Sequence, residues 1–280
     1  MRSICSLAAL AVVCGATAAG ASVFYGIGPG TASPYGLYQI APGTGTGTVV
    51  GPISYIVGAM DVAPNGTLFS DGLDLLLNHD LLTLNRSTGA ATLVAPISGI
   101  PFGLSANDFA FRPDGTLFSI YGLNNIYTIN TTTGAAAFVG HVGGNTIAFS
   151  SAGTLYLADG VSLYTVDQST AAMSLLIALT FDSSFGLSGT PQMHMTFDPS
   201  DGALYAIVYG NGSSSLGTIN IGTGAVTRIG PTVSGMGPLA IATPEPSSWL
   251  FFMTGLCIVG GWRWRIMRPK AALGRTGTSD

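Results

Sequence analysis

Ile126-Tyr-Thr-Ile-Asn-Thr-Thr-Thr-Gly134 reads as a short strand that runs into a turn, and the chain writes it five times. The other copies are Leu37-Tyr-Gln-Ile-Ala-Pro-Gly-Thr-Gly45, Leu81-Leu-Thr-Leu-Asn-Arg-Ser-Thr-Gly89, Leu163-Tyr-Thr-Val-Asp-Gln-Ser-Thr-Ala171 and Leu216-Gly-Thr-Ile-Asn-Ile-Gly-Thr-Gly224. Apolar and polar residues alternate with the period of a strand. The closing Asn/Asp-x-x-Thr-Gly segment supplies a turn whose glycine takes the positive φ that a tight hairpin needs. The copies start 44, 45, 37 and 53 residues apart.

A spacing near 45 residues is that of a four-stranded β-propeller blade. A second set of segments precedes the first: Asn65-Gly-Thr-Leu-Phe, Asp114-Gly-Thr-Leu-Phe, Ala152-Gly-Thr-Leu-Tyr and Asp201-Gly-Ala-Leu-Tyr, each a turn followed by a strand. Before each of these turns, large residues alternate with smaller ones: Met60/Val62 around Asp61, Phe109/Phe111 around Ala110, Ile147/Phe149 around Ala148, Met195/Phe197 around Thr196. This inner-strand pattern recurs at Pro238-Leu-Ala-Ile241 with no blade after it, while residues 23–51 supply second, third and fourth strands with no first strand ahead of them. The two ends complete one blade, which predicts an all-β, five-bladed β-propeller closed by pairing of its N- and C-terminal strands. An open solenoid or a pair of sandwiches would not need complementary ends. Residues 81–85 belong to a strand rather than a helix, and the Gly/Ser/Phe-rich insertion at 180–192 reads as a surface loop.

Both ends beyond the repeats look like targeting segments. Met1-Arg2, the apolar run 4–13 and the small residues up to Ala21 form a signal peptide expected to be cut after Ala21. At the other end, Pro244-Glu245-Pro246 makes a stiff, extended spacer. It is followed by the apolar run 249–262, edged by Trp249, Trp262 and Trp264, and by the basic residues Arg263, Arg265, Arg268 and Lys270. That order reads as a short transmembrane helix with interfacial aromatics and a cytoplasmic stop. It resembles the PEP-CTERM sorting signal of Gram-negative bacteria that make extracellular polysaccharide, although the polar tail 271–280 runs past the point where such signals usually stop. The resemblance implies export, an exosortase-like membrane protease as partner, transient residence in the inner membrane, and release to the cell envelope, the matrix or the medium. The expected divisions are 1–21 signal peptide, 22–242 propeller, 243–270 sorting signal and 271–280 tail.

Between these ends the chain keeps three arginines and no lysine against eleven Asp and Glu245, a formal charge of −9. It has no means of neutralising phosphates, which argues against nucleic-acid binding. Cys5, Cys14 and Cys257 all fall in the targeting segments, so the exported part has no disulfide and must rest on its apolar core.

Loops from all blades of a propeller converge where the inner strands begin. At that level the repeat places Asn107, Asp108, Asn145, Thr146 and His194, a candidate ligand-binding cluster, with Asp108 and His194 able to hold a cation or to form an acid–base pair. His79, His141 and His194 come from different blades, which argues against a zinc site, and residues 198–202 lack the length and terminal Glu of an EF-hand loop. No Gly-x-Ser-x-Gly, catalytic cysteine or Walker loop is present. The expectation is an exported, non-catalytic propeller without cofactor or metal that binds polysaccharide, an envelope protein or a small ligand. The alternative is a secreted hydrolase or lyase working through Asp108 and His194.

Overall fold

The computed structural model of the chain describes residues 21–243 apart from 32, 75 and 123. The expected signal peptide, the expected sorting signal with its transmembrane helix, and the polar tail fall outside the described residues, except for Ala21 and Thr243 at their edges. Five sheets follow one another, antiparallel throughout except for one short parallel pairing. In chain order the strands are β1 (Val23–Pro29), β2 (Tyr35–Ile40), β3 (Gly47–Ile53), β4 (Ile56–Val62), β5 (Leu68–Leu73), β6 (His79–Leu84), β7 (Ala91–Pro96), β8 (Ala106–Phe111), β9 (Leu117–Tyr121), β10 (Asn125–Ile129), β11 (Ala136–His141), β12 (Thr146–Phe149), β13 (Leu155–Ala158), β14 (Ser162–Val166), β15 (Met173–Ala178), β16 (Thr180–Phe181), β17 (Gln192–Phe197), β18 (Leu204–Gly210), β19 (Ser213–Ile219), β20 (Ala225–Pro231) and β21 (Leu239–Ala242).

The first blade is ordered β21-β1-β2-β3, so the ring closes through its own ends. Val23, Phe24, Tyr25 and Gly26 pair with Ala242, Ile241, Ala240 and Leu239, and the Gly237 N–H donates to the Ile27 carbonyl at 2.8 Å to extend the seam. The inner strands β21, β4, β8, β12 and β17 pack side by side around the axis. Every one of the five apolar clusters bridges two neighbouring blades. Met60, Leu68 and Leu82 meet Ile27, Leu37 and Ile53 in one, and Leu239, Ile241 and Phe24 meet Ile207 and Leu216 in another. The core is thus five wedges between sheets, which is why strands buried on both faces read as nearly continuous apolar runs.

The repeated turns hold the outer ring. Asn85, Asn130, Asp167 and Asn220 each accept two backbone N–H bonds from the turn they open. The ending residue of every turn then reaches the fourth strand of the preceding blade. A Cβ on Gly89 would stand 2.6 Å from the Gly51 carbonyl, one on Gly45 2.7 Å from that of Gly230, and Gly134 and Gly224 likewise face Pro96 and Ala178. Where the turn ends in Ala171 instead, at φ 59°, the facing residue is Gly140. Each contact therefore keeps at least one side small. The same point carries a β-bulge in all five blades, which adds twist to the outermost strand. Gly89→Ala should lower stability by about 2–3 kcal/mol, since a left-handed alanine costs about 1–2 kcal/mol and the carbonyl contact adds to it. Gly115→Ala, at φ 91° with open space around it, should show the backbone penalty alone, and urea melts of the two variants compare them.

One expectation is corrected. The 180–192 insertion is more than a surface loop: β16 pairs in parallel with β20, through Thr180 with Ala225 and Phe181 with Val226, and gives this blade a fifth strand. A 3₁₀ turn over Ser183–Phe185, opened by the Asp182 carboxylate accepting the Ser184 N–H, then buries Phe185. Among the described residues no helix is long and apolar enough to cross a membrane.

Candidate functional site

Packed side by side, inner strands leave N–H groups facing the axis without a partner in their own sheet, and such groups must be satisfied from elsewhere. Side chains from the preceding blade do this in sequence. Asp61 Oδ2 accepts the Phe111 N–H (2.7 Å) and Asp108 Oδ2 the Ile147 N–H (2.9 Å). Thr146 Oγ1 accepts the Met195 N–H (2.9 Å) and donates to Asp108 Oδ2 (2.6 Å). A polar thread thus links four successive inner strands along the channel.

Of the residues predicted from sequence, Asp108, Thr146 and His194 come together at the end of the channel where the inner strands begin. Asp108 and Thr146 are fully buried, and His194 is 8% exposed. His194 Nδ1 lies 3.6 Å from Asp108 Oδ1, beyond hydrogen-bond reach, and its ring lies over that of Tyr209. Burial, with the Asp108 charge added, pushes the Tyr209 hydroxyl up to about 12. Asn107 sits at a bulge in β8, and its Nδ2, like His194 Nδ1, is buried with no partner among the described residues. Asn145 is half-buried, and its backbone N–H donates to the Ala158 carbonyl. Asp108 is spoken for: Thr146 and Ile147 hold Oδ2, and the Phe109 N–H reaches Oδ1 at 3.1 Å. A carboxylate so occupied caps strands and is poorly placed to take a substrate proton.

Open space occurs at both ends: a hollow of about 410 Å³ lined by Tyr209, Ser214, Met236 and Gly237 lies beside His194. At the opposite end, a cavity of about 310 Å³ opens where the inner strands finish, walled by residues of all five, among them Asp61, Phe111, Ala148, Phe197 and Ile241. Its mouth is also where the domain's two ends arrive. Thr243 lines it, and Ser22 donates to Asp198 Oδ1, on the same wall, at 2.6 Å. Sequence reasoning placed the ligand end at the other rim and passed over Asp61. The signal was present: at its level the aligned residues are Ala110, Ala148, Thr196 and Ala240, so Asp61 is the one charge in that column. Burial in the cavity wall pushes its carboxyl up to about 7.

A second buried polar group lies between blades. His79 Nδ1 meets the Asp71 carboxylate at 3.0 Å, His79 Nε2 donates to the Leu104 carbonyl at 2.6 Å, and Tyr121 Oη donates to Asp71 Oδ1 at 3.0 Å. Both imidazole nitrogens face acceptors, so Asp71 and the Leu104 carbonyl together raise the His79 pKa above its ordinary value against the opposing pull of burial. No group of three or more metal-ligating side chains occurs among the described residues.

No protein-family model matches the chain, and no curated protein matches it. Among solved structures, a chain of the nidogen/laminin complex aligns with a TM-score of 0.54 at 12% identity, over 79% of this chain and 98% of that one. TolB from Acinetobacter baumannii aligns with a TM-score of 0.47 at 16% identity, over 76% of this chain and 54% of that one. A gluconolactonase from Xanthomonas campestris gives 0.47 at 15% identity, over 78% and 79%. At such identities the likeness is one of fold alone.

Proposed function

We propose that this is an exported, non-catalytic binding propeller, carried to the cell envelope or extracellular polysaccharide matrix by its C-terminal sorting signal. One observation carries the binding reading: a cavity built from all five inner strands opens at one end of the channel, while the acid–base pair a hydrolase or lyase would need is buried at the far end with its carboxylate occupied. Sorting is supported by the position of the domain's ends. β21 finishes at Ala242, fully paired, and the Pro-Glu-Pro joint begins two residues later. An exosortase-like protease cutting at that joint would release the domain with its closing strand in place.

Native mass spectrometry of protein recovered from the envelope and the medium tests both halves. The expected species begins at Ser22, lacks residues 249–280 and carries a small-molecule adduct that is lost when Ala148→Phe fills the cavity. A mature protein that retains 249–280 would reject sorting by cleavage. An adduct that survives Ala148→Phe would place binding elsewhere.

A further inference from the structure

Asp61 does a job that the fold does not need a charge to do. Its structural task is to accept the Phe111 N–H, and at the other end of the channel, where Asp108 accepts the Ile147 N–H, Thr146 accepts the Met195 N–H with a neutral hydroxyl. The equivalent positions in the other blades are filled by alanine or threonine. A carboxylate whose folded-state pKa is near 7 rather than 3.8 is unfavourable to keep ionised there, so the domain gives up stability to hold it. Residues that lower stability in an otherwise regular structure are characteristic of binding and catalytic sites.

The surroundings indicate what it faces. The cavity wall is mainly apolar and aromatic, with Phe111, Phe149, Phe197, Val62 and Ile241 lining it. Its volume of about 310 Å³ lies at the lower end of the range for small-molecule sites, which starts at about 300 Å³. The exported part carries a formal charge of −9, a field that draws cations toward it. Two carboxylates line the wall, Asp61 and Asp198, and Asp198 is already engaged by Ser22 and Ser200. These are too few ligands for calcium, which takes about six to eight oxygens. The Asp61 carboxylate among aromatic side chains suits an ammonium group attached to an apolar body, with charge on the acid and the body against the rings.

The geometry points to the channel cavity as a receptor for a small organic cation, an amine with an apolar body, whose charge rests on Asp61 and whose body lies against Phe111, Phe149 and Phe197. This assignment rests on the cavity being the protein's binding site. The charged and titratable groups on neighbouring elements are few. Asp71 lies on β5, and Asp108 and His194 are on β8 and β17 at the far end of the channel. Asp198 follows β17 and is held by Ser22 and Ser200. Arg112 follows β8 and is engaged by Asp114 and Gln168, and Arg86 stands beside Gly66. β12 and β21 bring none.

Titration calorimetry on residues 22–243 separates the outcomes, using n-butylammonium and tetramethylammonium, the neutral isostere n-pentanol, and a neutral oligosaccharide. Both cations should bind at pH 8 and the isostere should bind at least tenfold more weakly. Asp61→Asn, which keeps an acceptor for the Phe111 N–H, should weaken cation binding at least tenfold. The wild-type affinity should fall about tenfold between pH 8 and pH 6 as Asp61 takes up its proton. Cation binding that is indifferent to Asp61→Asn and to pH overturns the assignment. Oligosaccharide binding that Ala148→Phe blocks, with no cation binding, overturns the assignment and leaves the cavity as the binding site. If neither class binds at the cavity, both readings fall.

Discussion

A chain that lacks residues 237–242 should lose its cooperative melt altogether, not merely melt a few degrees earlier. The deleted segment carries β21, the inner strand of the closing blade. Leu239, Ala240, Ile241 and Ala242 are all buried. Burial of Leu239 and Ile241 alone contributes about 1.5–3 kcal/mol each. The deletion also strips β1 of its pairing partner and removes the neighbour against which β4 and β17 pack. Domains of this size are stable by only about 5–15 kcal/mol, so opening one seam in a ring whose core is divided among blade interfaces should unfold the whole. Differential scanning calorimetry measures this directly. An unchanged transition would mean that four blades stand without the fifth.

Asp71→Ala should be the most damaging single substitution outside the apolar core. Asp71 is buried and joins β5 to His79 on β6 and Tyr121 on β9, so its loss strands an imidazole and a phenol where water does not reach. Breaking a buried charged pair from one side costs about 3–5 kcal/mol. Tyr121→Phe removes one hydrogen bond and should cost about 1–1.5 kcal/mol. The pair also sets a pH dependence. With the His79 pKa raised in the folded state, the folded protein holds more protons than the unfolded chain above the unfolded value near 6.5, so this stabilisation is complete below that pH and fades as pH rises through the folded value. Asp61 adds a slope of the same sign at lower pH, between its unfolded value of 3.8 and about 7. Urea melts at pH 6 and pH 9 should show the wild type losing stability over this interval and His79→Gln losing less of it. Equal losses would show that His79 carries no proton through folding.

The ring and its closure were legible because both are matters of period. Strand alternation and turn glycines recur at blade spacing, and the unmatched inner strand at 238–241 answers the missing first strand at the N-terminus. The bulges at Val50, Val94, Val139, Leu176 and Ile229 were not legible, since a single extra residue leaves the alternation nearly intact. Nor was the second task of the Thr-Gly turns: a glycine that needs positive φ gives no sign that a neighbouring blade's carbonyl also lies against it. The insertion at 180–192 misled because β16 is two residues long and its partner β20 lies more than forty residues on. At the site, the repeat brought Asp108, Thr146 and His194 to one level, where the structure has them. It did not reveal that the Asp108 oxygens would be consumed by backbone and hydroxyl donors, nor that the cavity walled by all five inner strands lies at the other end. Asp61 stood in the aligned column throughout, and only the cavity gave its charge a meaning. His79, Asp71 and Tyr121 come from three strands in two blades, a juxtaposition no local pattern records.

Closure underlies the rest of this account, because the cavity, the axial polar thread and a removable tail all require the first and last strands to be one sheet. Native-state hydrogen exchange, resolved residue by residue on 22–243, tests it most directly. The hydrogen-bonded amides of β1 and β21 at the seam should exchange only through global unfolding, with the same free energy as those in the interior of β8 and β9. Seam amides that exchange through a separate, lower-energy opening would contradict a ring closed by its own ends.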